Sequence, residues 1–540
     1  MTLICMEKRL MNKEQIAYQK TGYFSKLIGD YLDGKKELTP FYKCEFKIES
    51  FEKMINERAQ LPIDRVVLTN SLKSQYKGVE INGAVQNNIE NLQKENCFTV
   101  TTGHQLNLFT GPLYFIYKIV STINLAKELK SKYPNNDFVP VYWMATEDHD
   151  FEEVNHFNLF KKKYELAKTQ SGAVGKMKLD GVDDLLTELK EDLGDRNGVE
   201  DVLHLFSKYY SHDKTYTEAI RGIVNHLFGK YGLVIVDGDD AGLKRLMVKE
   251  FEEELLTQKN HSVINSTTEK LVELGYKGQV NPREINLFYL KDQLRERIVL
   301  EGNVYKALNT NIQFSKEQLI EELNNFPERF SPNAPLRPMY QEKILPNLAY
   351  IGGGGELAYW FQLKEMFDAN NISFPVLVLR NSVLMIDKGS AKKLQKLEIP
   401  VTDIFKNTDA LIKAYLKKGS NIILDLKKEE QLVVDVFEDI VQKAGAVDQS
   451  LQPFVKAELQ KSVKSLKNIE GRLMKGEKKK EEVAVNQIKN IKDKLFPSGS
   501  LQERHENILS LLLFHGETII DELTKEIQPL DEKFTIIQLL

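Results

Sequence analysis

The stretch from Cys97 to Asp150 constrains the fold of this chain more than any other. CFTVTT is short, β-branched and aromatic, the composition of a buried strand. It runs through Gly103-His104-Gln105 into FTGPLYFIYKIVSTINLAKELKSKY, where Leu113, Ile116, Tyr117, Val120, Ile123, Leu125 and Leu129 supply the broad apolar face of a long helix. Thr110 is placed to cap that helix and Pro112 suits its first turn, so it is expected to start near Gly111 or Pro112. After Pro134-Asn135-Asn136, VPVYWMAT reads as a continuous apolar strand covered on both faces. Strand, helix and strand joined by short turns make a βαβ unit with parallel strands.

The same grammar returns later. YGLVIVDGDDAGLKRLMVKEFEEELL repeats strand, acidic turn and helix, and SFPVLVLRNSVLMID adds buried β character. The fold class expected is therefore α/β, with a doubly wound core. Residues 1–95, with EQIAYQKTGYFSKLIGDYL and NGAVQNNIENLQKEN, read as a mostly helical first part of that core. The core proper spans 96–395, with insertions at about 166–227 and 259–330. Residues 396–500 are helical and strongly charged; Leu459, Val463, Leu466, Ile469 and Leu473 step by three and four, as in a helical hairpin or coiled coil, with a turn expected near Lys475 to Lys480. Residues 501–540 are expected to return to the core.

At 540 residues the chain exceeds one ordinary domain, and its net charge of -4 gives no global field for a nucleic-acid partner. Cys5, Cys44 and Cys97 are odd in number and widely spaced, so neither a disulfide framework nor a structural zinc is expected. The opening MTLICMEKRLMNKEQ lacks a signal h-region, and no stretch approaches the roughly 18 apolar residues of a membrane span. A cytoplasmic location without membrane association is the expectation.

Three constellations could carry chemistry. Thr102-Gly103-His104-Gln105, with Gly111 and Tyr114, lies where an open α/β sheet puts its ligands, between a strand's carboxyl end and the next helix. An ordinary strand-to-helix turn would also account for these glycines. Glu147-Asp148-His149-Asp150 directly follows the second strand, with Asn155 and His156 beyond it. Such a cluster can hold a substrate ammonium, act as a base or bind a divalent ion, and it can equally be a solvated acidic turn. His149 and His156 would share a face only if the intervening segment were helical. SPNAPLRPMYQEKILPNLAYIGGGGELAYW contributes Ser331, Asn333, Arg337 and Gly352 to Gly355 before a helix starting at Glu356. It has neither the Lys-Ser/Thr ending of a P-loop nor a dinucleotide fingerprint. Tyr359 and Trp360 fit core positions better than ligand stacking.

Taken together, TTGHQLNLFTGPLYFIYKI, VPVYWMATEDHDFEEVNH, SPNAPLRPMYQEKILPNLAYIGGGGELAYW and KDKLFPSGSLQER resemble the cysteine-adding enzymes of bacillithiol synthesis, the BshC family, in order from about Phe98 to Glu503. The resemblance implies a Rossmann-like core with connecting-peptide insertions, similar to class I aminoacyl-tRNA synthetases, and an α-helical coiled-coil domain that forms a homodimer. It implies a ligase that joins L-cysteine to glucosaminyl-malate as an amide. Two positions depart from the family pattern: His104 stands where glutamine is usual, and Gly354 where proline is usual.

Forming an amide from a carboxylate in water requires activation, so ATP with Mg is the expected co-substrate and no structural metal is expected. On this reading Gly103, Gln105 and the helix start at Gly111 hold phosphate or carboxylate, with Thr102, His104, Tyr114, Asn155, His156, Ser331 and Asn333 around them. Asp148 and Asp150 bind an ammonium or a metal-nucleotide, His149 or Glu147 deprotonates the attacking amine, and Arg337 with Gly353, Gly354, Gly355 and Glu356 closes the far side. The HxGH and KMSKS signatures of class I synthetases are missing from the sequence. A second reading is a non-catalytic nucleotide- or metabolite-binding module whose coiled coil organises a partner.

Overall fold

Every residue of β1 (Cys97–His104) is buried, as a strand covered on both faces requires. The computed structural model describes residues 11–167, 169–419 and 426–539, so Cys5 lies outside the described residues. One compact unit comprises Gln15–Leu384 and Leu501–Thr535; the other is built mainly from Met385–Ser500.

In the first unit β1 pairs in parallel with β2 (Asp137–Met144), from Cys97 opposite Asp137 to His104 opposite Met144. β3 (Val234–Asp237) continues the sheet beyond β2, while β4 (Asn347–Gly352) lies on the other side of β1 and β5 (Val376–Leu379) beyond β4. All four pairings are parallel, and the order is β5-β4-β1-β2-β3. The winding therefore reverses between β1 and β4, and the crevice outside the carboxyl ends of those strands is where this architecture binds ligands.

The crossover between β1 and β2 is α1 (Leu113–Lys132), which carries the expected apolar face. Its start differs from the sequence expectation. Pro112 is the N-cap, and Phe109, Thr110 and Gly111 all have positive φ, so the Thr110 side chain does not cap the helix. Asn507 from the C-terminal segment holds this turn by donating to the carbonyls of Phe109 and Gly111, and the Glu506 carbonyl accepts from the Leu113 N–H. At φ 63° and ψ −148°, Gly111 occupies a region essentially confined to glycine, and a Cβ there would lie 2.5 Å from Asn107 Cβ.

Residues 11–17 are extended rather than helical; sheet pairing supplies there the backbone hydrogen bonds a helix would make internally. Asn82 caps the helix Gly83–Asn91 by accepting from the Ala84 N–H. The first insertion holds a hairpin, His156–Leu159 with Lys162–Glu165, and three helices from Val182 to Phe228. The second carries helix Lys259–Glu273 and an antiparallel sheet whose strands Leu287–Lys291 and Leu294–Glu301 face the crevice. It is followed by α2 (Arg337–Ile344), and β4 leads into α3 (Gly354–Ala369).

The second unit contains α4 (Lys427–Val447), α5 (Gln452–Lys480) and α6 (Glu482–Leu495). The hairpin turn lies at Asp448–Leu451, where the Asp448 side chain accepts from the Ser450 N–H and Pro453 opens α5. Lys475 to Lys480 are the last residues of α5, and the break to α6 expected near them falls at Glu481; the helix runs through Gly476 because one exposed glycine costs only about 1 kcal/mol and the flanking lysines and glutamates are good helix formers. No helix among the described residues is long and apolar enough to cross a membrane.

Candidate functional site

A cavity of about 780 Å³ opens at the switch point, large enough for a nucleotide-sized ligand. Its floor is the end of β1 at Gly103 and His104, its walls the turn after β2 and the start of α3, and its roof two strands of the second insertion, of which Leu294–Glu301 bears Arg295 and Arg297.

Lys118, only 2% exposed although it lies mid-helix on α1, ties these walls together. Its ammonium donates to both carboxylate oxygens of Glu356, at 2.9 and 2.8 Å, and to the Gly103 carbonyl. Glu356 also accepts from the Tyr350 hydroxyl and the Gly353 N–H, both at 2.8 Å. Burial opposes the Glu356 charge, yet Lys118 outweighs it and holds the carboxyl below its ordinary range. The His104 ring stacks on Tyr114 with centroids 5.3 Å apart, and the Arg380 guanidinium lies 5.1 Å from the Tyr114 ring. Burial pulls His104 down to about 3, helped by Lys118, so the ring is neutral at physiological pH and its buried Nε2 has no partner. Arg380 is itself held by Glu503 of the C-terminal segment at 2.8 Å.

The acidic turn divides into unlike parts. Glu147 is buried and ion-paired to Lys244 at 2.6 Å, and Lys244, wholly buried, also meets Asp239 at 3.0 Å. Burial raises the Glu147 pKa against the pull of Lys244. Asp148 stands on the cavity wall; its carboxylate accepts from Gln105 at 2.9 Å and from the His149 and Asp150 N–H groups. Burial works against its charge, but the His149 side chain, Gln105, Arg295 and the Asp150 N–H hold the carboxyl far below the usual range, so it is ionised. The His149 Nδ1 lies between Arg295 Nη1 at 2.7 Å and Asp148 Oδ1 at 3.7 Å. Asp150 is exposed and outside the cavity, at the head of the short helix Phe151–Val154.

Arg283, Arg295, Arg297, Arg337 and Arg504 line the cavity, and none of them forms an ion pair among the described residues. Arg295 packs its guanidinium 3.9 Å from the Phe288 ring centroid and points to the Ser331 hydroxyl at 3.4 Å. Arg297 Nε is buried without a partner.

Of the residues singled out from sequence, the cavity gathers Gly103, His104, Gln105, Tyr114, Glu147, Asp148, His149, Asn333, Arg337, Gly353, Gly355 and Glu356. Thr102 instead donates to the Ile351 carbonyl between strands, and Gly111 serves the turn before α1. Ser331 lies behind Arg295, and Gly354 packs toward Ile28. Asn155 and His156 bond to each other beside the hairpin; His156 begins a strand, so it shares no helix face with His149. Trp360 is core, stacked on Tyr350, whereas Tyr359 reaches the cavity wall.

Sequence reasoning passed over Lys118, Arg283, Arg295, Arg297, Arg380 and Arg504. A signal existed for some of them. Lys118 interrupts the apolar run FIYKIV, and Arg295 and Arg297, two apart on one strand, face the same side. Cys97 is a core thiol, pushed up to about 12 by burial.

Two family profiles match the chain: "Bacillithiol biosynthesis BshC, N-terminal Rossmann-like domain" over residues 11–381, and "Bacillithiol biosynthesis BshC, C-terminal coiled-coil domain" over residues 383–539. Among curated relatives, a Flavobacterium johnsoniae protein named "Putative cysteine ligase BshC" is 46% identical over 529 residues, covering 98% of this chain and 100% of the relative. Proteins of the same name from Flavobacterium psychrophilum and Christiangramia forsetii are 46% and 44% identical, covering 98% and 97% of this chain and 100% and 98% of their own.

Proposed function

From the premise that the chain belongs to the BshC family, we propose that it is a ligase of bacillithiol biosynthesis that joins L-cysteine to the glucosamine amine of glucosaminyl-malate. One observation carries the reading: guanidinium groups without carboxylate partners converge on a single cavity that also holds an ionised Asp148. Cations gathered on one cavity without carboxylate partners repel one another unless a ligand brings the opposite charge. The reactants fit that pattern, since a dicarboxylate acceptor and a nucleotide polyphosphate are anionic and cysteine carries an ammonium.

Cysteine's carboxylate needs activation before an amine can attack it, and Mg-ATP would supply a leaving group. The residues at the switch point suit a phosphate. Gly103 lets a ligand approach the end of β1, the first N–H groups of α3 have no helical acceptor, and Arg337 stands opposite them. Asp148 takes the cysteine ammonium. Glu147 is committed to Lys244, so the amine's proton passes to His149 at Nδ1 once Arg295 turns from that nitrogen to an incoming anion.

The test is an endpoint assay by mass spectrometry with purified protein, cysteine and glucosaminyl-malate, with and without Mg-ATP. Product is expected only with ATP, and accumulation of AMP or of ADP identifies an acyl-adenylate or an acyl-phosphate. Folded protein that makes no product under any nucleotide overturns the ligase reading in favour of a binding module.

The second unit supports a homodimer. Leu432, Val436 and Ile440 repeat at four-residue steps on α4 and are 64%, 58% and 40% exposed. Such a stripe is matched by the same stripe on a second copy. Light scattering should give twice the chain mass for the wild type and the single-chain mass for Val436→Glu. A monomeric wild type would remove the dimer.

A further inference from the structure

Arg337 owes its position to a chain of buried polar groups that starts in the middle of the sheet. The Thr99 and Thr101 hydroxyls on β1 both donate to Asn347 Oδ1, at 3.1 and 2.8 Å. That turns the Asn347 amide nitrogen toward Glu342, whose Oε1 accepts it at 2.7 Å. The same oxygen accepts from Gln341 Nε2, also at 2.7 Å. With its nitrogen so engaged, Gln341 can present only its oxygen to the other side, where Oε1 accepts from Arg337 Nη1 at 3.0 Å. Thr99, Thr101, Asn347, Gln341 and Glu342 are all fully buried. Burial pushes Glu342 up to about 7, but its second oxygen has no partner and would carry the proton, so Oε1 remains the acceptor in either state.

Around Arg337 stand the Tyr350 and Tyr359 phenols and the Glu356 carboxylate, whose charge Lys118 already holds. The Arg337 guanidinium lies about 6 Å from the Trp143 and Tyr350 rings, at 6.0 and 5.9 Å, and directly under Gly103. A Cβ at Gly103 would stand 3.6 Å from Nη1, so glycine leaves that face of the guanidinium open to the cavity. A carboxylate at position 341 would hold the guanidinium as firmly but would cancel its charge.

We propose that Gln341 is a positioning residue for Arg337: a neutral acceptor, oriented by Glu342, that fixes the guanidinium while leaving its charge for a carboxylate or phosphate of the substrate. This rests on the reading of the cavity as the substrate site. It concerns anion binding, which can be measured without turnover.

The experiment is calorimetric titration of the full-length protein with L-malate and, separately, with pyrophosphate. The proteins are the wild type, Gln341→Met, Arg337→Met and the double variant. Each single variant is expected to weaken one probe by about tenfold or more, the scale of a charge-assisted hydrogen bond. The double variant should bind no worse than Arg337→Met alone, because Gln341 acts only through Arg337; a general structural role would make the losses add. The probe that responds identifies the anion as carboxylate or phosphate. If Gln341→Met does not fold, Gln341→Glu reads the same point, since its carboxylate pairs with Arg337 and weakens anion binding. Additive losses, a Gln341 variant within twofold of wild type, or a wild type that binds neither probe would overturn the proposal. Coupled binding without ATP-dependent product would instead sink the ligase reading alone.

Discussion

Asp148→Asn should lower kcat/KM for cysteine by about 10²-fold, a loss of about 2.7 kcal/mol in transition-state stabilisation, with the fold retained. The substitution keeps the shape of the side chain and an oxygen for the His149 N–H, and it removes the charge together with the oxygen that accepts from Gln105. That charge is the feature the surroundings maintain, because the His149 side chain, Gln105, Arg295 and the Asp150 N–H hold the carboxyl ionised in spite of burial. Asp150→Asn is the comparison. Its side chain lies outside the cavity, so the variant should keep activity within about twofold, the ordinary range for a surface change. Steady-state kinetics over a cysteine series checks both. Equal losses in the two variants, or none in either, would remove Asp148 from the ammonium site.

Lys244→Met should destabilise the first unit by about 3–5 kcal/mol, the usual consequence of deleting one partner of a buried ion pair. The lysine is completely buried between Glu147 and Asp239, and it also donates to the Glu328 carbonyl. Burial draws the Lys244 pKa down, but the two carboxylates outweigh it and raise it. Methionine would leave Glu147 buried with no cation in contact, whereas Asp239 would retain Lys176 at 2.8 Å. The pH dependence has a definite sign. The Glu147 pKa is raised in the folded protein, and loss of Lys244 removes the attraction that opposed burial, raising it further. A carboxyl raised on folding favours the native state while protonated, and that contribution is lost as pH rises through the folded pKa. The stability deficit of Lys244→Met should therefore narrow as pH falls and widen toward neutrality. Urea unfolding of both proteins at several pH values tests this; a deficit below about 1 kcal/mol at neutral pH would mean that water reaches the orphaned carboxylates.

The contrast between Glu147 and Asp148 shows where reading by sequence stops. Both are acids at the end of the same strand, and nothing local separates them. Lys244, almost a hundred positions away, converts one into a structural anchor, while Arg295 and Gln105 keep the other charged on the cavity wall. The same holds for the hairpin turn of the second unit. The turn expected near Lys475 to Lys480 falls just beyond, at Glu481, and the helix passes through Gly476, because the cost of one glycine is smaller than that of interrupting a long helix packed along its neighbour.

By itself the sequence determined the β1–α1–β2 unit, the recurrence of strand and helix that makes the core doubly wound, and the helical arm. It also put glycine and acidic turns at the strand ends, where such a sheet binds ligands. These are legible because burial of one face imposes a period on neighbouring residues, and a period is a local pattern. The tertiary structure alone decided the charge distribution of the site. Arg283, Arg295, Arg297, Arg337, Arg380 and Arg504 come from separate stretches of the chain and meet only because β4 returns to the far side of β1 and residues 501–507 fold back beside α1. Electrostatic pairing acts through space, and its partners are chosen by strand order and chain return, which no short-range pattern encodes.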